Sequence, residues 1–448
     1  MPISSVQQLE ALRTQLDELI EAVSSSQIDL PPLDESKPIG AALEPQHTRL
    51  STFAASLRHV LAVIEGPRDV LNQAFALHVP SSMRVAIEAH VEETLREAGT
   101  PLGAKEIAKS SGINPEKLAR ILRLLSAHHI FREVEPAVFE RNRRSAILDT
   151  GKSVADLRSD PDNAYANTNG LAALIAHTTE EAFKAASYMS DTLLDPARAN
   201  SYDPADAPFA SALGGQHLFA YFAENERLMK RFAASMQGLS NVSPEGETVG
   251  RVGFPWDKLE RDAVVVDVGG GSGHLCVAIG NQVEHVSFVV QDRPEVIEKA
   301  APEASLASNV PPLAVVTNPM ALAPIRPVSE IVGFTRDVYL LRTIIHDWPD
   351  AEAVTILKHL AEAAGPESKL VIVESTLVEL CPPNEFPPTS SMPYYFDLQM
   401  LTCVGSQERT ELQYEELGGK AGWKLHRTWK TGAEGRDGSF RHYEFRLK

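Results

Sequence analysis

Cysteine is scarce in this chain. Cys276, Cys381 and Cys403 are its only three in 448 residues. They are odd in number and form no C-x-x-C pair, which argues against a disulfide framework and a zinc site and points to a reducing cytoplasm. Positive charge is in deficit as well: 42 Lys and Arg face 60 Asp and Glu, a formal charge of -18. Phosphate backbones repel so acidic a chain, so no nucleic-acid partner is expected. Long apolar runs are missing; none approaches the ~20 residues that span a bilayer, so no membrane partner is expected. The first ten residues are too polar for a signal-peptide core. What remains is 43% hydrophobic and 23% charged, the composition of a soluble globular protein. The length calls for two or three domains.

Residues 5–24 place Leu9, Leu12, Leu16, Leu19 and Ile20 at helical spacing and read as an exposed amphipathic helix. Residues 25–45 are rich in Ser and Pro, so 1–45 form a helix and linker. Helices resume from about Leu50 to Ala98. Two short helices then flank a turn at Gly112, followed by the strand-like Ile130–Val134. This pattern within 46–155 resembles a winged helix-turn-helix. Asn114 is suited to cap the second helix and Pro115 to open it. Such a module can read DNA, and a winged-helix regulator is one alternative. Its second helix, however, interleaves Arg120 and Arg123 with core Leu and Ile, which favours a protein–protein role. Residues 156–250 mix helix and loop, with a helix from Glu224 to Leu239, and read as a connector contributing to a substrate pocket. From 251 to 448 strands alternate with helices, at 264–268, 286–291, 313–317, 337–341 and 369–374. A C-terminal pair falls near 423–429 and 443–447. The fold class is α/β.

The stretch Val264-Val265-Val266-Asp267-Val268-Gly269-Gly270-Gly271-Ser272-Gly273 is the most informative. A β-branched run reads as a buried parallel strand. Glycines follow where a ligand must approach the backbone. No Lys follows Gly273, which excludes a P-loop, and Gly269, Gly271 and Gly273 lie two apart, unlike G-x-G-x-x-G. The remaining reading is an adenosyl ligand without a diphosphate, S-adenosylmethionine. Asp292, 19 residues beyond Gly273 at the next strand's tip, can accept the ribose hydroxyls. A ligand-free glycine turn, with Asp292 capping a helix opened by Pro294, is the plainer alternative.

A second cluster gathers at strand tips. Val338–Leu341 leads to Arg342 and then His346-Asp347-Trp348-Pro349. A His at this edge can serve as general base, since a reference pKa of ~6.5 leaves it mostly neutral at pH 7. Glu374 ends the strand Leu370–Val373, and Glu408 stands just before a helix. Either acid could accept the Nδ1–H of His346 and leave Nε2 free. Each of these residues could instead cap a helix.

Taken in order, DVGGGSGH, VVQDRPEVI, DVYLLRTIIHDWPD, LVIVES and GSQERT resemble the S-adenosylmethionine-dependent O-methyltransferases of the plant caffeate/flavonoid type, in their fungal secondary-metabolite branch. The likeness covers about residues 60–448. It implies a Rossmann-like class I methyltransferase sheet, preceded by a mostly helical winged-helix domain that forms a homodimer. It implies that Asp267, Gly269, Gly270, Gly271, Gly273, Asp292, Asn318 and Arg342 hold the cofactor. His346 matches the base, with Glu374 and Glu408 flanking it; no metal is implied. Phe232, Met236 and Met400 match residues that close around an aromatic or polyketide acceptor. One departure stands out: Asn318-Pro319-Met320 replaces the family's usual Asp and bulky apolar residue beside adenine. Some fungal relatives keep the fold for pericyclic or dehydrative steps, which is the further alternative.

Overall fold

The computed structural model describes residues 5–25, 44–242, 253–271, 273–292, 314–317, 337–377, 391–430 and 440–448. Asn318, Pro319, Met320 and Cys381 lie outside the described residues. Two compact units emerge: residues up to Ser187 with Leu218–Val242, and Tyr188–His217 with the described residues from 253 onward apart from 381–390. The 156–250 stretch is thus divided between them.

The first unit opens with helices α1 (Ser5–Ser24), α2 (Glu44–Ile64), α3 (Pro67–Phe75), α4 (His78–Glu88) and α5 (Val91–Ala98). Strand β1 (Leu102–Gly103) precedes α6 (Ala104–Ser111) and α7 (Pro115–Ala127); β2 (Arg132–Glu135) and β3 (Val138–Glu140) follow. The strands form a small sheet in the order β1-β3-β2. Asn114 Oδ1 accepts the N–H groups of Glu116 and Lys117 at 3.0 and 3.1 Å, capping α7. Ile107, Leu118, Leu122, Leu125, Phe131 and Phe139 form the core of this module. Arg123 is held by Glu133 at 2.7 and 2.9 Å. Later in the unit, α8 (Leu171–His177) passes close to α9 (Glu226–Val242). A Cβ on Gly170 would stand 2.5 Å from Gly238 N, so bare glycines let the two backbones meet.

The second unit is a seven-stranded sheet of β4 (Val264–Val268), β5 (Ser287–Asp292), β6 (Ala314–Thr317), β7 (Val338–Arg342), β8 (Lys369–Ser375), β9 (Trp423–Lys430) and β10 (Phe440–Leu447). Its order is β6-β5-β4-β7-β8-β10-β9. Strands β4 to β8 run parallel, and β10 is antiparallel to β8 and β9. Successive residues alternate between two cores, as the period of a strand demands. Val266, Tyr339, Leu341, Leu370 and Ile372 face one core, while Val265, Val338, Leu340, Val371 and Val373 face the other. Helix α11 (Asp350–Ala363) covers the first through Ile356, Leu357 and Leu360; α10 (His274–Gly280) covers the second through Leu275, Cys276 and Ile279. Helices α12 (Met392–Val404) and α13 (Glu411–Lys420) complete the unit. Among the described residues no helix is long and apolar enough to cross a membrane.

The strands fall within a few residues of their sequence-based positions. The main shift is that β5 includes Asp292, which pairs with Thr317 in the ladder. Strand order reverses between β4 and β7, and a parallel sheet opens its ligand crevice at the carboxyl ends of such a pair.

Candidate active site

Two loops leave the carboxyl ends of β4 and β7. After β4, Gly269, Gly271 and Gly273 have φ of 77°, 57° and 78°, values that suit glycine. Gly269 and Gly270 donate to Gln291 O at 2.7 and 3.3 Å, tying the turn to β5. Gly271 donates to Asp292 Oδ2 at 2.8 Å. A Cβ on Gly270 would lie 2.6 Å from Asp267 Oδ2, whereas one on Gly271 would meet nothing within 4 Å. The turn is therefore packed tightly from below and, among the described residues, open at Gly271. Asp267 is buried beneath it and accepts the Cys276 thiol at 3.4 Å. Burial pushes Asp267 up to about 6, against the pull of Cys276 and Arg342. Burial, then Asp267, also push the Cys276 thiol well up, which makes this cysteine packing and support rather than a nucleophile. Arg342 ends β7, half-buried, with its charge acting on Asp267.

The second loop carries His346 in a short 3-10 turn, Ile345–Asp347. Glu374 and Glu408 both face it but act differently. Glu408 Oε1 lies 2.7 Å from His346 Nδ1, across 62 residues of sequence. Glu374 Oε2 is 3.6 Å from the same nitrogen, while its Oε1 accepts the N–H groups of Ile344, Ile345 and His346 at 2.9, 2.7 and 3.3 Å. Glu408 thus binds the ring, and Glu374 binds the loop that bears it. The carboxylate at 2.7 Å accepts the Nδ1–H, so Nε2 is the ring nitrogen not engaged by Glu408. Asp347 Oδ1 stands 3.6 Å from Nε2.

Burial alone would lower the His346 pKa. Glu374, Glu408 and Asp347 outweigh it and hold the ring well above its ordinary value. Burial, reinforced by Glu408, pushes Glu374 up to about 7 against the opposing pull of His346. The net effect of the three carboxylates is to favour the charged ring over what the reference pKa alone suggests.

Three residues missed in the sequence complete the arrangement. Arg409, fully buried, donates to Ile345 O at 3.0 Å, Trp348 O at 2.7 Å and Asp350 Oδ1 at 2.9 Å. It clamps both sides of the His346 turn, and its one signal was adjacency to Glu408. Asp397 Oδ1 accepts the Glu408 N–H at 2.9 Å. Asp347, whose sequence signal is only that of a helix cap, adds the third carboxylate beside the ring.

The apolar candidates belong to different units. Phe232 lies on α9 in the first unit, stacked on Phe222 at 4.7 Å and edge-on to His177 at 5.2 Å. Met236, one turn further along α9, is 36% exposed. Met400 is half-buried on α12 in the second unit.

Residues 188–424 match the O-methyltransferase domain family, and residues 71–150 match the O-methyltransferase dimerisation domain. An O-methyltransferase of Armillaria gallica is 33% identical over 407 residues, covering 84% of each chain. The 4-O-methyltransferase 1 of Phanerochaete chrysosporium is 32% identical over 469 residues, covering 95% of this chain and 96% of its own. Among solved structures, LepI in complex with SAM superposes with a TM-score of 0.74 at 20% identity, over 99% of this chain and 100% of LepI, a likeness of fold. This chain belongs to the O-methyltransferase family. It is an enzyme with the class I methyltransferase fold and an N-terminal helical dimerisation domain.

Proposed function

We propose that this enzyme methylates a phenolic or enolic hydroxyl of an aromatic, polyketide-derived secondary metabolite, with His346 as general base. The observation that carries this reading is the 2.7 Å contact between His346 Nδ1 and Glu408, which leaves Nε2 available at the mouth of the sheet. Relatives called O-methyltransferase, among them one acting at a 4-O position, point to an oxygen acceptor.

S-adenosylmethionine fits the first loop. The face left open at Gly271 among the described residues supports approach of a ligand to the backbone, and in this reading Asp292 accepts the ribose hydroxyls. Gly269, Gly270, Gly273 and Arg342 complete the cradle, while Asp267 supports it from below. When bound, the cofactor supplies an electrophilic methyl group on a positively charged sulfur. His346 takes the acceptor's proton at Nε2. A phenol of pKa ~10 and an ordinary imidazole differ by about 3.5 units, or roughly 5 kcal/mol. The raised pKa of His346 narrows that gap, because Glu374 and Glu408 stabilise the imidazolium. The same shift lowers the neutral fraction at pH 7, so the gain in base strength is fully felt only above neutrality. Glu374 and Arg409 hold the loop so that the ring does not swing, which serves the alignment of acceptor and donor. Met400, in the same unit as His346, is an apolar wall for the acceptor ring in this reading. No metal is needed in this scheme, and we read the enzyme as a homodimer.

The test is incubation with isotopically labelled cofactor and a panel of phenolic polyketides, followed by mass spectrometry. Products heavier by one methylene, carrying the label, are expected. Products without that gain would replace this reading with pericyclic or dehydrative chemistry.

A further inference from the structure

A cavity of about 240 Å³ lies wholly within the first unit. Ile87, Leu157, Pro161 and Ala164 give it an apolar lining. The polar groups around it are mostly donors: His90, Tyr165, Arg158 and Arg227. The acid among them, Glu88, is already paired, with Arg84 at 2.9 Å and with Arg227 at 3.8 Å. Tyr165, His90 and Arg158 make no side-chain hydrogen bond among the described residues. Burial, then Glu88, push the Tyr165 phenol up to about 12, so at neutral pH its hydroxyl keeps a proton to donate. Arg158, Pro161 and Arg227 are exposed, which opens one side of the cavity to solvent.

We infer that this cavity binds a small aromatic monocarboxylate. Arg158 and Arg227 bring two positive charges against the single carboxylate of Glu88, itself neutralised by Arg84. That balance suits one negative charge on the ligand and repels a metal ion. A guanidinium fork matches the two oxygens of a carboxylate and stacks on aromatic faces. The Tyr165 hydroxyl adds a neutral donor. The apolar lining calls for a ring, because a bare inorganic anion would leave that surface uncovered. Volume limits the ring count: drug-sized ligands occupy sites of ~300–1,000 Å³, so this smaller cavity takes about one ring. None of its lining residues belongs to the machinery proposed for methyl transfer, so the site stands apart from that reading.

The test is methyl NMR of the full chain titrated with benzoate, following the Ile87 δ1 signal, which Ile87→Val identifies. That signal should shift to saturation with a Kd on the order of 1 mM or tighter, within reach of a one-ring ligand. Benzamide keeps the ring and loses the charge, and inorganic phosphate does the reverse; each should bind about tenfold or more weakly. Arg158→Gln/Arg227→Gln should weaken benzoate by about tenfold or more, and Tyr165→Phe by about threefold or more. Both arginines are exposed, so the double variant should keep the wild-type far-UV circular dichroism. If it fails to fold, Tyr165→Phe decides by the same titration. An Ile87 signal that stays still, or moves equally for benzamide, overturns the inference, as does unchanged benzoate affinity in the variants. A shift confined to the Ile344 methyl, beside Gly269, overturns it too, since benzoate would then bind near the His346 loop. Neither cofactor nor turnover enters this measurement, so its failure is distinct from failure of the mass measurement.

Discussion

The base strength of His346, in the role proposed for it, is set by what surrounds it. Burial opposes the charged ring, and three carboxylates more than reverse that effect. Only the neutral ring accepts a proton, so the rate should climb as pH rises through a limb lying above 6.5. Glu408→Gln removes one carboxylate and should move that limb to lower pH, measured as kcat against pH. His346→Gln should bind the cofactor as wild type does, by calorimetry, yet lose about a hundredfold or more in kcat. Unchanged turnover in that variant would remove the base assignment.

His442 shows the opposite shift. It is fully buried on β10, accepts the Phe254 N–H at Nδ1 at 3.1 Å, and burial, aided by the charge of Arg342, pushes its pKa down to about 3. The unfolded chain binds this proton near pH 6.5. Stability from the neutral ring is therefore complete above 6.5 and is lost as pH falls toward 3, about 2 kcal/mol of it by pH 5. Urea midpoints at pH 7 and pH 5 should differ less in His442→Gln than in wild type. An equal difference would show that His442 carries no such linkage.

At the scale of elements, the two loops meet through glycine. A Cβ on Gly269 would stand 2.4 Å from Ile344 Cδ1, on the loop that carries His346. Neighbouring glycines should separate stability from binding. Gly270→Ala forces a methyl against Asp267 and Val290, overpacking that costs about 1–3 kcal/mol. Its unliganded melting temperature should drop. Gly271→Ala has open space and costs about 1–2 kcal/mol for its positive φ. It should fold but lose most of the thermal shift given by S-adenosylhomocysteine. An undiminished shift in Gly271→Ala would mean that the ligand does not approach this backbone. The elements themselves were legible because Val-rich runs of five residues, ended by glycine or an acid, have few alternatives to a parallel strand. Helix α10 was less so. It spans seven residues, and so short a helix owes its extent to packing rather than periodicity.

At the scale of the whole molecule, the donor atoms of His346, Glu374 and Glu408 lie within 4.8 Å of one another, close enough to raise the question of a metal. Three backbone N–H groups already occupy one Glu374 oxygen, and the ring's Nδ1 is engaged by Glu408. Methyl transfer should persist after exhaustive dialysis against a chelator, and added Mg²⁺ or Zn²⁺ should not raise it; loss of activity restored by one metal would assign the cluster a different role. The overall charge of -18 disfavours long-range attraction to a phosphate backbone.

Residue chemistry and local periodicity were enough to place a glycine turn after one buried strand, a histidine after another and an acid at the tip of a third. These are properties of short segments, written in neighbouring side chains. Folding alone decided which acid takes the imidazole N–H, that Arg409 clamps the turn, and that three carboxylates raise the pKa of His346. Those outcomes depend on groups tens of residues apart being brought within a few ångströms. Burial and electrostatic interaction act through that distance in space, which the order of residues does not contain.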